Sequence, residues 1–233
     1  MKKINSFFLI LSILIFGLNS TVYANVKGKK IWKGKITYSI SYEGENITPA
    51  TVANAPKTIT TSIYGNKQST EMIQGPMIIT MIQDPEFNRY YQLFEMGEKK
   101  IALKQDLSEF NADSLKKFDS HIDLVNETKI IAGISCKKAV VTLTPRDPSE
   151  GEESIFDVFY APGIGDDNIN DGSEFAGIPG MLLQFQSNNS GMIIKFVATE
   201  VKPGGVKDTD FLLPSDYKVV APADLEKEFS NLF

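Results

Sequence analysis

Histidine, cysteine and tryptophan occur once each in the 233 residues, and each scarcity removes a kind of chemistry. Cys136 alone permits no intramolecular disulfide, so stability must come from hydrophobic burial. As a nucleophile a lone thiol needs a depressed pKa and a nearby base. In the strand-like run Ile134–Ala139 its expected role is that of a small buried hydrophobe. His121 alone excludes multi-histidine zinc sites. Ser-His-Asp and Cys-His arrangements are also read as absent, because His121 falls between a predicted helix and a predicted strand, where a surface or hydrogen-bonded role is expected. There is no run of Lys or Arg, and 24 basic side chains face 29 acidic ones. That balance disfavours nucleic acid and anionic membrane surfaces as partners. Phosphate loops, nucleophile elbows and cofactor fingerprints are missing too, so no cofactor is expected.

What is present begins with an address. Lys2 and Lys3 precede an apolar run from Ile4 to Leu18, and Val22-Tyr23-Ala24 puts small residues where a signal peptidase reads. The pattern predicts a signal peptide over residues 1–24, cut between Ala24 and Asn25. The apolar run is shorter than the ~20 residues that span a bilayer, and no cysteine follows it to take a lipid. The expectation is an exported protein, periplasmic or secreted, soluble after cleavage. Residues 25–233 then carry 22 basic and 29 acidic side chains and suffice for a single domain with one core.

The mature stretch reads as strands. From Lys29 to Glu43, Trp32, Ile36, Tyr38, Ile40 and Tyr42 share one parity and polar residues the other, as in a sheet with one buried face. Gly65-Asn66 joins Thr58–Tyr64 to Lys67–Gln74 as a hairpin. Further strands are expected at Met77–Gln83, Asn88–Met96, Lys99–Lys104, Lys129–Ile131, Ser135–Thr144, Ser154–Tyr160, Met181–Gln186, Met192–Lys202 and Asp210–Leu213. Leu107, Phe110, Leu115 and Phe118 form a helical stripe that predicts a short amphipathic helix over Asp106–Phe118. Pro222 to Phe233 reads as a terminal helix. The expected fold is mainly β: a strongly curved antiparallel sheet, bowl-like or half-barrel, of about ten strands, with one or two short helices and one of them against the concave side. A closed barrel or a two-sheet sandwich is the competing geometry. Strands apolar on both faces, such as Met77–Ile82 and Met192–Val197, suggest a second face that lines a concavity, although methionines fill cores at least as often.

Two features could carry function. Asp166, Asn168, Asn170, Asp171 and Glu174 offer oxygen ligands in an acidic loop that starts like a calcium loop. The fit fails where Asp171 replaces the required glycine and Gly177 the bidentate glutamate, so a solvated acidic loop is the expectation and no metal site is assigned. Next comes Gly177-Ile178-Pro179-Gly180-Met181-Leu182. Pro179-Gly180 suits the centre of a type II turn, and Met181, Leu183 and Phe185 then alternate as a strand.

This run resembles the Gly-Leu-Pro-Gly-Leu-Ile signature of the GLPGLI family of exported bacterial proteins, with Ile178, Met181 and Leu182 as apolar replacements. The strand Gly34–Tyr38 and the segment Lys129–Ala139, which includes Ile131-Ala132-Gly133 and Cys136, are similar to further parts of that family. The resemblance implies an envelope protein associated with outer-membrane uptake systems and a curved fold akin to lipoprotein carriers, and it carries over no catalytic residues. The reading that follows is a non-enzymatic exported cell-envelope protein that binds an apolar ligand, a lipid or an outer-membrane protein partner in a curved β-sheet. The alternative is a metal-dependent or carboxylate-based hydrolase of envelope glycans or peptides, using Asp166, Asp167, Asp171 and Glu174. Oligomeric state is not legible.

Overall fold

The computed structural model describes residues 31–44, 47–50, 52–106, 117–189 and 192–230. The predicted cleavage site at Ala24 and Asn25 lies outside them, as does the body of the predicted helix, residues 107–116.

Among the described residues twelve strands form one sheet. In chain order they are β1 (Lys33–Glu43), β2 (Thr58–Tyr64), β3 (Lys67–Gln74), β4 (Met77–Asp84), β5 (Arg89–Met96), β6 (Lys99–Asp106), β7 (Phe118–Ile131), β8 (Ile134–Pro145), β9 (Ser154–Ala161), β10 (Met181–Asn189), β11 (Met192–Pro203) and β12 (Lys218–Val220). Across the sheet the order is β12-β6-β5-β4-β3-β2-β1-β11-β10-β9-β8-β7. Two antiparallel meanders, β1 to β6 and β7 to β11, therefore join through the pairing of β1 with β11. The exception to antiparallel pairing is β12, which runs parallel to β6.

The sheet is curved and does not close: among the described residues β7 pairs with β8 alone and β12 with β6 alone. Chain connectivity itself demands the curl. Asp106 and Phe118 are twelve residues apart in sequence, a reach of ~40–43 Å, whereas ten strand spacings in a flat sheet cover ~48 Å. β7 also comes into contact with β11, although four flat spacings would hold them ~19 Å apart. Register shifts at Thr37/Tyr38 and between Leu182 and Gln184 add local twist.

Alternation decides what fills the concave side. Ile36 and Tyr38 of β1, Ile59 and Ile63 of β2, Met77, Ile79 and Met81 of β4, and Phe94 of β5 all point into one continuous core. A second, smaller core lies on the opposite face. There Ile82, Tyr91, Leu93 and Ala102 are covered by Val206 and Phe211, with Leu213 and Tyr217 packed beside them. The segment after β11 is thus a strap across the outer face of β4 to β6. It carries a 3-10 turn at Asp208–Phe211 where the sequence suggests a strand at Asp210–Leu213. The short strand that does form, β12, comes later. The strap also explains the two-faced apolar pattern of β4: Ile82 packs under it instead of lining a cavity.

Two predicted helices change. Asp106 ends β6 and Phe118 opens β7, so neither residue is helical. The terminal segment is a 3-10 turn at Pro222–Asp224 followed by α1 (Leu225–Ser230), whose Leu225 reaches the main core.

Candidate functional site

Among the described residues, the loop between β9 and β10, residues 162–180, fills the concave face. Ile164, Ile169, Phe175 and Ile178 are buried in the main core. Phe175 stands edge-on between Phe156 of β9 at 6.5 Å and Phe185 of β10 at 5.7 Å. Phe185 in turn stacks on Phe196 of β11 at 4.7 Å and meets Tyr38 of β1 edge-on at 6.0 Å. Geometries of this kind add to the area that the rings bury. The Gln68 side chain of β3 donates to the Ile169 carbonyl at 3.3 Å, so the loop bridges both meanders. Tight turns carry the chain through it: Asp171 N–H donates to the Asn168 carbonyl, Ser173 N–H to Asn170 and Ile178 N–H to Phe175.

The Gly-Ile-Pro-Gly run is held by a residue far from it in role. The buried Asn170 donates its amide to the carbonyls of both Ile178 and Gly180, each at 2.8 Å. Met181 N–H donates to the Ile164 carbonyl at 2.9 Å, not back to Ile178. The expected type II turn therefore keeps its dihedral requirement, with Gly180 at φ +92°, but the Asn170 side chain replaces the usual closing bond. A side chain at 180 would also run into the backbone of Ala161. Leu182 completes the seat, its carbonyl accepting from the Tyr38 hydroxyl at 2.8 Å. Ser173 Oγ donates to the Asn170 carbonyl at 2.6 Å and accepts from Phe175 N–H at 3.1 Å.

The acidic residues of the loop are dispersed. Asp166, Asn168, Asp171 and Glu174 are half-buried and Asp167 is exposed. Among the described residues no three His, Cys, Asp or Glu side chains come together in a way that could hold a metal ion. Asn170, read as a candidate ligand, spends its amide on the motif. Glu174 is pushed up to about 7, chiefly by burial and partly offset by a hydrogen bond with Ser187. Burial raises Asp171 as well. Cys136 is fully buried, and burial pushes its thiol up against the opposing pull of a backbone hydrogen bond with Ile131 and the charge of Lys129. His121 is well exposed, with Nε2 3.4 Å from Asp123 Oδ1 on the same strand. Cys136 is thus a core side chain and His121 a surface one.

One buried polar group stands apart from the loop. Asp84 is 1 % exposed, its Oδ1 has no hydrogen-bond partner, and its Oδ2 lies 3.7 Å from Lys67 and 3.8 Å from Arg89. Burial raises its pKa, while Lys67 and Arg89 lower it. Lys67 also pairs with Asp208 of the strap at 2.8 Å, so this cluster fastens the strap to β3 and β4.

The surface best suited to contact with another molecule is a strand of which the sequence reading found only the end. β7 spans fourteen residues, begins eleven residues before the predicted strand at Lys129, and is exposed along nearly its whole length. Its outer edge has no neighbour among the described residues, so it offers backbone donors and acceptors to another strand. Leu124 (55 %) and Ile130 (75 %) stand exposed on it, and Ile155 (66 %) stands exposed on nearby β9. A signal existed: Phe118, Ser120, Ile122 and Leu124 alternate with Asp119, His121, Asp123 and Val125. Ion pairs brace the strand from within its own sheet, Asp119 with Arg146 at 2.8 Å and Glu127 with Lys138 at 3.3 Å.

Among the described residues no helix is long and apolar enough to cross a membrane. The chain matches no protein-family model and no curated protein.

Proposed function

We propose that this chain is a non-catalytic, exported protein of the cell envelope that docks a partner protein along the β7 end of its sheet. Export is supported by the leader-like residues 1–24, and membership of the GLPGLI type by the Gly177–Leu182 run and the segment Lys129–Ala139. The observation that carries the reading is the β7 edge, fourteen residues long, open on one side among the described residues and accompanied by exposed Leu124, Ile130 and Ile155. Strand addition to such an edge supplies backbone hydrogen bonds for affinity and side-chain pockets for specificity. A protein partner is favoured over a lipid because the concave side, where an acyl chain would lie, is occupied by Ile164, Ile169, Phe175 and Ile178.

A photo-crosslinking residue placed at Leu124 or Ile155 of the exported protein tests this in cells, with Ile73 on β3, equally exposed at 61 %, as the control. Adducts to protein are expected from positions 124 and 155 and not from 73. Equal yields at all three, or none at any, would remove the support for β7 as a docking edge.

A further inference from the structure

We infer that the strand added to β7 is the β7 of a second copy of this chain, antiparallel, across a two-fold axis at Ile122. This deepens, and rests on, the reading of β7 as a binding edge.

The register follows from the strand itself. β7 pairs with β8 without irregularity from Phe118 to Val125, and a bulge at residues 126 and 127 ends that regularity. A two-fold pairing must keep side-chain faces matched, so it centres on a residue and opposes positions of equal parity. Two centres use seven of the eight regular residues. Centring on His121 sets Asp119 against Asp123 of the other copy, twice, and directly opposed like charges are destabilising. Centring on Ile122 sets His121 against Asp123, twice, which places an imidazole opposite a carboxylate. Both side chains are available for it, at 74 % and 66 % exposed.

The other face agrees. With Ile122 on the axis, the two Ile122 side chains oppose each other and each exposed Leu124 lies diagonal to an Ile122 across the pair. These four side chains extend the row that β8 begins, since Ile122 pairs with Val141 and Leu124 with Ala139, both fully buried. An apolar lip that is wet in one copy becomes interior in two. Seven residues of strand pairing bury less than the ~800 Å² per partner of a standard interface, so the dimer forms in the micromolar range and higher.

The test uses the full mature chain with Cys136→Ser, which removes the one native thiol. Ile122→Cys in this background is expected to oxidise to a disulfide-linked dimer, whereas Leu124→Cys, opposite Ser120 in this register, is not. In sedimentation equilibrium, His121→Asp is expected to weaken dimerisation at least tenfold, and His121→Asp with Asp123→His to restore it, with circular dichroism unchanged throughout. A monomer up to ~1 mM, a dimer indifferent to His121→Asp, or linkage through position 124 in place of 122 would overturn the inference. Crosslinking from β7 to a different protein, with the purified chain monomeric, would overturn it too while leaving β7 a binding edge; absence of any adduct would defeat both.

Discussion

At the scale of single residues, Asn170 and Gly180 hold the loop of residues 162–180 in place. Removing the Asn170 amide orphans two carbonyls inside the protein, and each unmet group costs ~1–3 kcal/mol. Asn170→Ala should therefore lower stability by about 2–4 kcal/mol, measurable by chemical denaturation. Gly180→Ala faces both a positive φ and the Ala161 backbone, and a loss of about 2 kcal/mol or more is expected in the same assay. Glu174 makes a pH prediction. Its folded-state pKa of about 7 lies above the ordinary glutamate value, so between roughly pH 4.5 and 7 the folded chain holds a proton that the unfolded chain has released. Its contribution to stability is full below that window and is lost as pH rises through it. Glu174→Gln should flatten the fall and leave the variant ~1–3 kcal/mol more stable than the parent at pH 8. A thermal melt series from pH 4.5 to 8 reads both.

At the scale of elements, the strap and the edge strand are the parts that local pattern conceals. Phe211 is 1 % exposed beneath the strap, so Phe211→Ala should cost about 3–4 kcal/mol. It should also open residues 204–217 to protease before the sheet unfolds. Sequence pattern located β1 to β6 and β8 to β11 because each carries recurrent apolar residues and is bounded by turn residues, as with Gly65-Asn66 between β2 and β3. Of β7 it found only the end, Lys129–Ile131, because an edge strand with little burial keeps Asp119, His121, Asp123 and Glu127, which read as loop. It failed at β12 because three residues are too few for a period, and at Asp210–Leu213 because Phe211 is buried by the strap's turn and not by a strand. The motif was legible as a turn. That Asn170 closes it was not, because a side-chain clamp eight residues upstream leaves no periodic trace.

At the scale of the whole molecule, a chain without disulfides curls an open twelve-stranded sheet over one main core and fills that core with its own loop. The pairing of β1 with β11 ties Tyr38 to Ala198 across 160 residues of sequence, so the sheet is complete only when both ends of the chain have met. The loop of residues 162–180 sits where a ligand would enter a bowl, and its Phe175 is part of the aromatic chain from Phe156 to Tyr38. The central claim is that this loop is a fixed plug of the core, which moves binding to the sheet's open edge. Native-state amide hydrogen exchange tests it most directly. The account predicts that the amides of Asp171, Ser173, Ile178 and Met181 exchange as slowly as those of β9 and β10, through global unfolding alone. Fast exchange of these amides above a protected sheet would make the loop a mobile lid over an internal ligand site and would contradict the account.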